Sequence, residues 1–141
     1  MAVDRPYCHI LDRLKTVGLR PTRQRLALAK LLFDGGKRHV TAEQLHNEAL
    51  GQGVRVSLAT VYNTLHQFTD ANFLREIIVD AGRSYFDTNT TDHHHFFFED
   101  TRELLDIAKD DLSFANLPKP PKGTDVKCVD VIIRVENSHN S

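Results

Sequence analysis

Three consecutive histidines, His93, His94 and His95, form the densest group of metal-capable side chains in this 141-residue sequence. If the segment is extended, His93 and His95 point to one face and His94 to the other, because side chains alternate along a strand. Two imidazoles on one face make a ligand pair that needs further donors. Asp87 closes the preceding β-rich run, Asp106 lies in the following one, and His39 stands just ahead of a predicted helix. Three nitrogens and two carboxylates without a thiolate suit Fe²⁺, Mn²⁺ or Zn²⁺ rather than Cu⁺ or an iron–sulfur cluster. The HxH spacing alone fits a pair of surface histidines as well, so both readings stand at this point.

A second group with recognisable chemistry occupies 57–68, SLATVYNTLHQF. At helical spacing Leu58, Val61, Leu65 and Phe68 form an apolar stripe. The other side carries Thr60, Asn63, Thr64 and Gln67, with Tyr62 near the middle. Short hydroxyls and amides suit base edges and phosphates in a major groove. Arg20, Arg23 and Arg25, ahead of this segment, supply candidate phosphate or minor-groove contacts. The competing reading is a solvated polar helix surface.

Four helices and a hairpin are predicted to position these residues. An apolar stripe Tyr7, Ile10, Leu11, Leu14 and Val17 ends at Gly18. Pro21-Thr22 opens a second helix with Leu26, Ala29, Leu32 and Phe33 inward, and Gly35-Gly36 stops it. Thr41 with Gln44 makes a capping box for a third helix that turns Leu45, Ala49 and Leu50 inward. Ser57 caps the fourth. The period then changes: 73–79 and 84–87 read as strands joined by Asp80-Ala81-Gly82-Arg83. Helices with a short Gly-containing turn, followed by a hairpin, predict a winged helix-turn-helix. Residues 1–88 therefore read as the DNA-binding domain and 89–92 as a linker. Residues 93–141 read as a second module, with strands at 93–98 and 103–107, a short helix near 110–116 and a long β run at 126–135. About 50 residues bury little core alone, so this module is expected to pair with a copy of itself. The fold class is α+β, a winged helix-turn-helix followed by a small α/β dimerisation domain.

Composition sets the outer limits. The net charge of −1 excludes a polycation or an acidic tail. It conceals an asymmetry: residues 1–88 hold twelve bases and nine acids, residues 89–141 six bases and ten acids. A basic first half is the electrostatic signature of a nucleic-acid reader. No apolar run approaches the roughly 18 residues of a membrane span, and MAVDRPYCHI lacks the pattern of a secretory signal. The expected location is cytoplasmic, with no membrane partner. Cys8 and Cys128 are too far apart for a CxxC unit.

GLRPTRQRLALAKLLF, HVTAEQL, VSLATVYNTLHQF and SYFDTNTTDHHHFF, in this order, resemble the ferric uptake regulator superfamily. The resemblance implies a homodimeric winged-helix regulator binding a double-stranded DNA operator, and no enzyme. By this likeness 57–68 is the recognition helix, Ser57, Thr60, Tyr62 and Asn63 belong to the DNA-reading surface, and Arg20 reaches the minor groove. The likeness also assigns His39, Asp87, His93, His95 and Asp106 to one regulatory metal site joining the two domains. Many members follow the HxH with CxxC, a structural zinc site. Phe98 and Thr101 stand there instead, so no such zinc is expected.

The HHHFF run and the missing CxxC most resemble the iron response regulator branch. That likeness implies a repressor of iron and haem homeostasis, with His93, His94 and His95 as haem contacts. The Cys-Pro haem motif of some members is absent, although Cys8 or His9 remains a candidate ligand. An iron- or manganese-dependent peroxide-sensing repressor of the same superfamily is the alternative. A small metal-dependent hydrolase is the remote one, because no HExxH occurs and five protein donors leave little room for a reacting water.

Overall fold

A computed structural model describes the backbone of residues 6–138 and the side chains of residues 11–138. The chain packs as two units that divide between Thr90 and Thr91. The mixed helix-and-sheet architecture has the expected class.

In the N-terminal unit four helices precede a hairpin: α1 (Pro6–Thr16), α2 (Arg23–Phe33), α3 (Ala42–Gly51) and α4 (Leu58–Asp70). Three of them start on hydroxyl caps. Thr22, Thr41 and Ser57 each accept a bond from the backbone N–H three residues on, and Thr41 with Gln44 completes the capping box. Such caps satisfy amides that a helix start would leave unpaired, each contributing about 1 kcal/mol. Gly18 (φ 81) ends α1 in the left-handed region, with Leu19 N–H bonded back to the Leu14 carbonyl. Gly53 (φ 75) ends α3 likewise and turns the chain toward α4.

The apolar stripes meet in one core, with Leu14, Leu28, Leu45, Leu65 and Phe68 fully buried. Phe68 packs between Phe33 and Phe73, with ring centroids 6.2 and 6.0 Å away. Some residues fall outside the predicted stripes. Val17 and Leu50 are about half exposed, whereas Thr64 is buried. Thr64 lies three residues after Val61 and four before Phe68, so helix geometry carries it inward despite its hydroxyl.

Strands β1 (His39–Val40), β2 (Arg75–Asp80) and β3 (Arg83–Asp87) form a sheet in the order β1-β3-β2. The β2–β3 hairpin turns at Ala81-Gly82, where Gly82 has φ 80. The two-residue β1 adds to the free side of β3, pairing His39 with Asp87 and Val40 with Phe86. Arg38 and Thr88 extend this pairing through backbone and hydroxyl bonds.

In the C-terminal unit β4 (His95–Phe98) lies between antiparallel β5 (Leu104–Asp106) and parallel β6 (Ile132–Val135). Only Ile132–Val135 of the predicted 126–135 run pairs as a strand. The helix expected near 110–116 is a single 3-10 turn at Lys109–Asp111. His93 precedes β4 instead of lying in it.

Candidate metal centre and nucleic-acid interface

The pairing of β4 with β5 sets His95 directly opposite Asp106. Opposed residues share a face, so both side chains project together. His95 Nε2 lies 3.0 Å from Asp106 Oδ1, and His93 Nε2 lies 3.6 Å from the same oxygen. The two imidazoles meet edge to face at 4.4 Å between centroids. His95 is 2% exposed, while Asp106 keeps half its side chain in solvent.

His93 Nδ1 donates to the Thr91 carbonyl at 2.6 Å. In a neutral imidazole this puts the lone pair on Nε2, the atom that faces Asp106. A backbone carbonyl that fixes the tautomer in this way is a recurring support of metal-binding histidines. Ligand atoms of His93, His95 and Asp106 all lie within 4.8 Å of one another. Around an ion with bonds of about 2.1 Å, neighbouring ligand atoms stand about 3.0 Å apart at right angles and about 3.4 Å apart in a tetrahedron. The observed separations of 3.0 and 3.6 Å fit that spacing.

His94 faces elsewhere. Its Nδ1 accepts the Val131 N–H at 3.0 Å and its ring meets Phe114 edge to face. This histidine therefore ties the segment before β6 to β4. Of the three predicted haem contacts, two share a face and the third has a structural bond. The side chains of Cys8 and His9 lie outside the described residues.

The N-terminal unit holds the other two predicted ligands. His39 and Asp87 are direct cross-strand partners on β1 and β3. Asp87 is 1% exposed and accepts the Asn89 N–H at 2.9 Å. The His39 ring lies edge-on to Tyr85, two residues from Asp87 on the same face. Sequence reading placed Asp87 at its strand end but did not anticipate β1, the element that brings His39 opposite it.

On the helix-turn-helix, Asn63 of α4 is exposed and Thr60 half-buried. Ser57 Oγ accepts the Thr60 N–H and donates to Thr60 Oγ1 at 2.9 Å. Tyr62 donates its hydroxyl to Glu43 Oε1 on α3 at 2.7 Å. That bond, with smaller effects of desolvation and of the carboxylate charge, raises the phenol above its ordinary 10.0. Glu43 is a contact that sequence reasoning missed.

The predicted arginines divide by role. Arg20 and Arg23 are exposed. Arg25 instead donates Nε to Gln67 Oε1 at 3.1 Å and Nη1 to the Arg20 carbonyl at 2.6 Å. It joins the turn ahead of α2 to the last turn of α4.

The family model described as "Ferric uptake regulator family" matches residues 16–134. The ferric uptake regulation protein of Vibrio cholerae is 34% identical over 98 residues, 69% of this chain and 65% of that protein. Its counterpart in Escherichia coli K12 is 32% identical over 100 residues, 70% of this chain and 68% of that protein. The matches thus span about two thirds of these relatives' own length. Among solved structures, the Vibrio cholerae ferric uptake regulator aligns with a TM-score of 0.69 at 24% identity, covering 91% of this chain and 99% of that one. The Pseudomonas aeruginosa ferric uptake regulator with manganese gives 0.66 at 24%, covering 89% and 96%. These structures share the fold, an N-terminal winged helix with a C-terminal dimerisation domain.

Proposed function

This chain belongs to the ferric uptake regulator family, and from that premise we propose that it is a metal-responsive, DNA-binding transcriptional regulator. It acts as a homodimer on a double-stranded operator and catalyses no reaction. The carrying observation is the His93–His95–Asp106 cluster, whose spacing and fixed His93 tautomer fit one divalent ion.

His39 and Asp87 of the N-terminal unit would supply the remaining donors of a five-donor site. Its chemistry is coordination alone, a cross-link between reader and dimeriser. Manganese in the Pseudomonas aeruginosa structure, iron in the Francisella tularensis one and zinc in a manganese uptake regulator support a borderline divalent cation. Dimerisation is supported by the sheet of the C-terminal unit. Phe96 pairs with both Leu105 and Ile133, so all three share the face opposite His95, and Leu105 and Ile133 are 52% and 38% exposed.

The finer reading is haem sensitivity. His93 or His95 would hold haem iron through the nitrogen that faces Asp106, so haem and the divalent metal would compete for these histidines and haem would weaken DNA binding. His94 joins only by giving its Nε2, because Nδ1 holds the Val131 N–H.

Fluorescence anisotropy with duplexes that the protein selects from a random-sequence pool tests the reading. Adding Mn²⁺ is expected to change duplex affinity roughly 5- to 150-fold, the ordinary range of coupling between two sites. The His93→Ala/His95→Ala variant should give one affinity with or without metal. Wild-type affinity that ignores Mn²⁺ throughout overturns the metal-responsive reading, and haem saturation without DNA release overturns the haem reading.

A further inference from the structure

Arg23 and Arg55 of the N-terminal unit make no ion pair or side-chain hydrogen bond among the described residues. Arg23 is the first residue of α2, and Arg55 stands two residues before the Ser57 cap of α4. Both are exposed. They line one cleft of about 420 Å³ with Gln24, Ala27, Gly53 and Val54, and among the described residues no carboxylate lines it.

Nearby arginines are used differently. Arg25 is held by Gln67 and the Arg20 carbonyl, and Arg38 by both oxygens of Glu48 at 2.8 and 2.6 Å. Two guanidinium groups on one cleft without a counter-charge repel each other and favour an anion. An arginine fork is also well matched to phosphate oxygens.

The walls of the cleft are braced. Gln24 Nε2 donates to the Arg55 carbonyl at 3.2 Å, which pins the turn ahead of α4 to the first turn of α2. One residue on, the Val56 carbonyl meets His46 Nε2 of α3 at 3.0 Å. Gln24 also lines an adjoining cleft with Thr60 and Asn63, so the arginine pair is continuous with the polar side of α4. That continuity identifies the anion as part of the duplex that α4 reads.

We propose that Arg23 and Arg55 clamp one DNA-backbone phosphate beside the recognition helix and so fix where α4 sits along the groove. The proposal rests on the DNA-binding reading above. Arg55 was not among the residues that the sequence suggested for DNA contact.

The test is the salt dependence of binding by the full-length, Mn²⁺-loaded protein to a duplex it has selected from a random pool. Each phosphate contact on B-DNA contributes about 0.9 to the slope of log affinity against log salt. Arg23→Gln/Arg55→Gln empties the clamp on that one phosphate and should lower the slope by about 0.9 per bound protomer, and Arg55→Gln alone should lower it by a measurable part of that. Arg55→Lys should restore most of it. Lys109→Gln removes the same charge from an exposed position in the C-terminal unit and should leave the slope unchanged. The base preference of Arg55→Gln should match wild type, since a phosphate carries no sequence information. Tight binding by Arg55→Gln with the wild-type slope overturns the clamp alone, as does an altered base preference. A wild-type protein that binds no duplex overturns the DNA-binding reading and the clamp with it.

Discussion

At the residue scale, the two sides of the His95–Asp106 pair differ in burial. Asp106 is half exposed, and Asn keeps an oxygen that can accept from His95 Nε2, so the change should move stability by no more than about 1 kcal/mol. Asp106→Asn is therefore expected to leave the thermal midpoint close to wild type while weakening Mn²⁺ binding at least tenfold by calorimetry. His95→Ala removes a buried ring and should lower both. Equal Mn²⁺ affinity in wild type and Asp106→Asn removes Asp106 from the ligand set.

Tyr62 carries the pH prediction. Its phenol titrates above 10.0 because Glu43 accepts its proton in a hydrogen bond. The unfolded chain releases this proton first. The associated stability is thus fully present below pH 10.0 and is lost as pH rises through the folded value. Near neutrality the bond is intact. Glu43→Gln should move the Tyr62 component of the tyrosinate absorbance toward 10.0, and Tyr62→Phe should remove that component. An unchanged titration in Glu43→Gln means the carboxylate is not the cause.

His93 and His95 were legible as a pair from the alternation of an extended segment, although His93 stands just ahead of β4 and is turned toward Asp106 with its Nδ1 on the Thr91 carbonyl. The Glu43–Tyr62 bond was not, since it depends on how α3 crosses α4. Thr64 misled in the other direction: its hydroxyl suggested the reading face, and the helical period put it in the core.

At the element scale, α4 hangs on its cap. Ser57→Ala removes the acceptor of the Thr60 N–H and should cost about 1 kcal/mol in denaturant unfolding. Ser57→Asp, which caps equally well, should restore it, and a Ser57→Ala protein as stable as wild type would show the cap to be dispensable.

The four helices were readable because caps, glycine stops and a 3.6-residue stripe agree. Two elements of the sheets were not. β1 is two residues long and carries no periodicity, and it exists only because β3 offers an unpaired side. In 126–135 the β-rich composition extends beyond the pairing. Ladder formation needs a neighbour, and β4 supplies register partners only for Ile132–Val135.

At the scale of the whole molecule, the near-neutral charge conceals a basic N-terminal half followed by an acidic module, and the proposed five-donor set draws on both units. The N-terminal unit offers His39 and Asp87 in register. The C-terminal unit offers His93, His95 and Asp106 around one point. Two donors hold a divalent ion weakly and three leave its coordination open, so the account requires both sets on one ion. An ion that binds both units gains affinity from their alignment, and by linkage it biases that alignment to the same extent. Under the proposal, this linkage is what lets the bound metal control DNA binding.

Anomalous diffraction at the manganese edge, from crystals of the full-length protein grown with Mn²⁺, tests this most directly. The account predicts one manganese per chain bonded to His39, Asp87, His93, His95 and Asp106. A manganese bonded by residues of one unit alone, or a saturated crystal with none at these side chains, would contradict it.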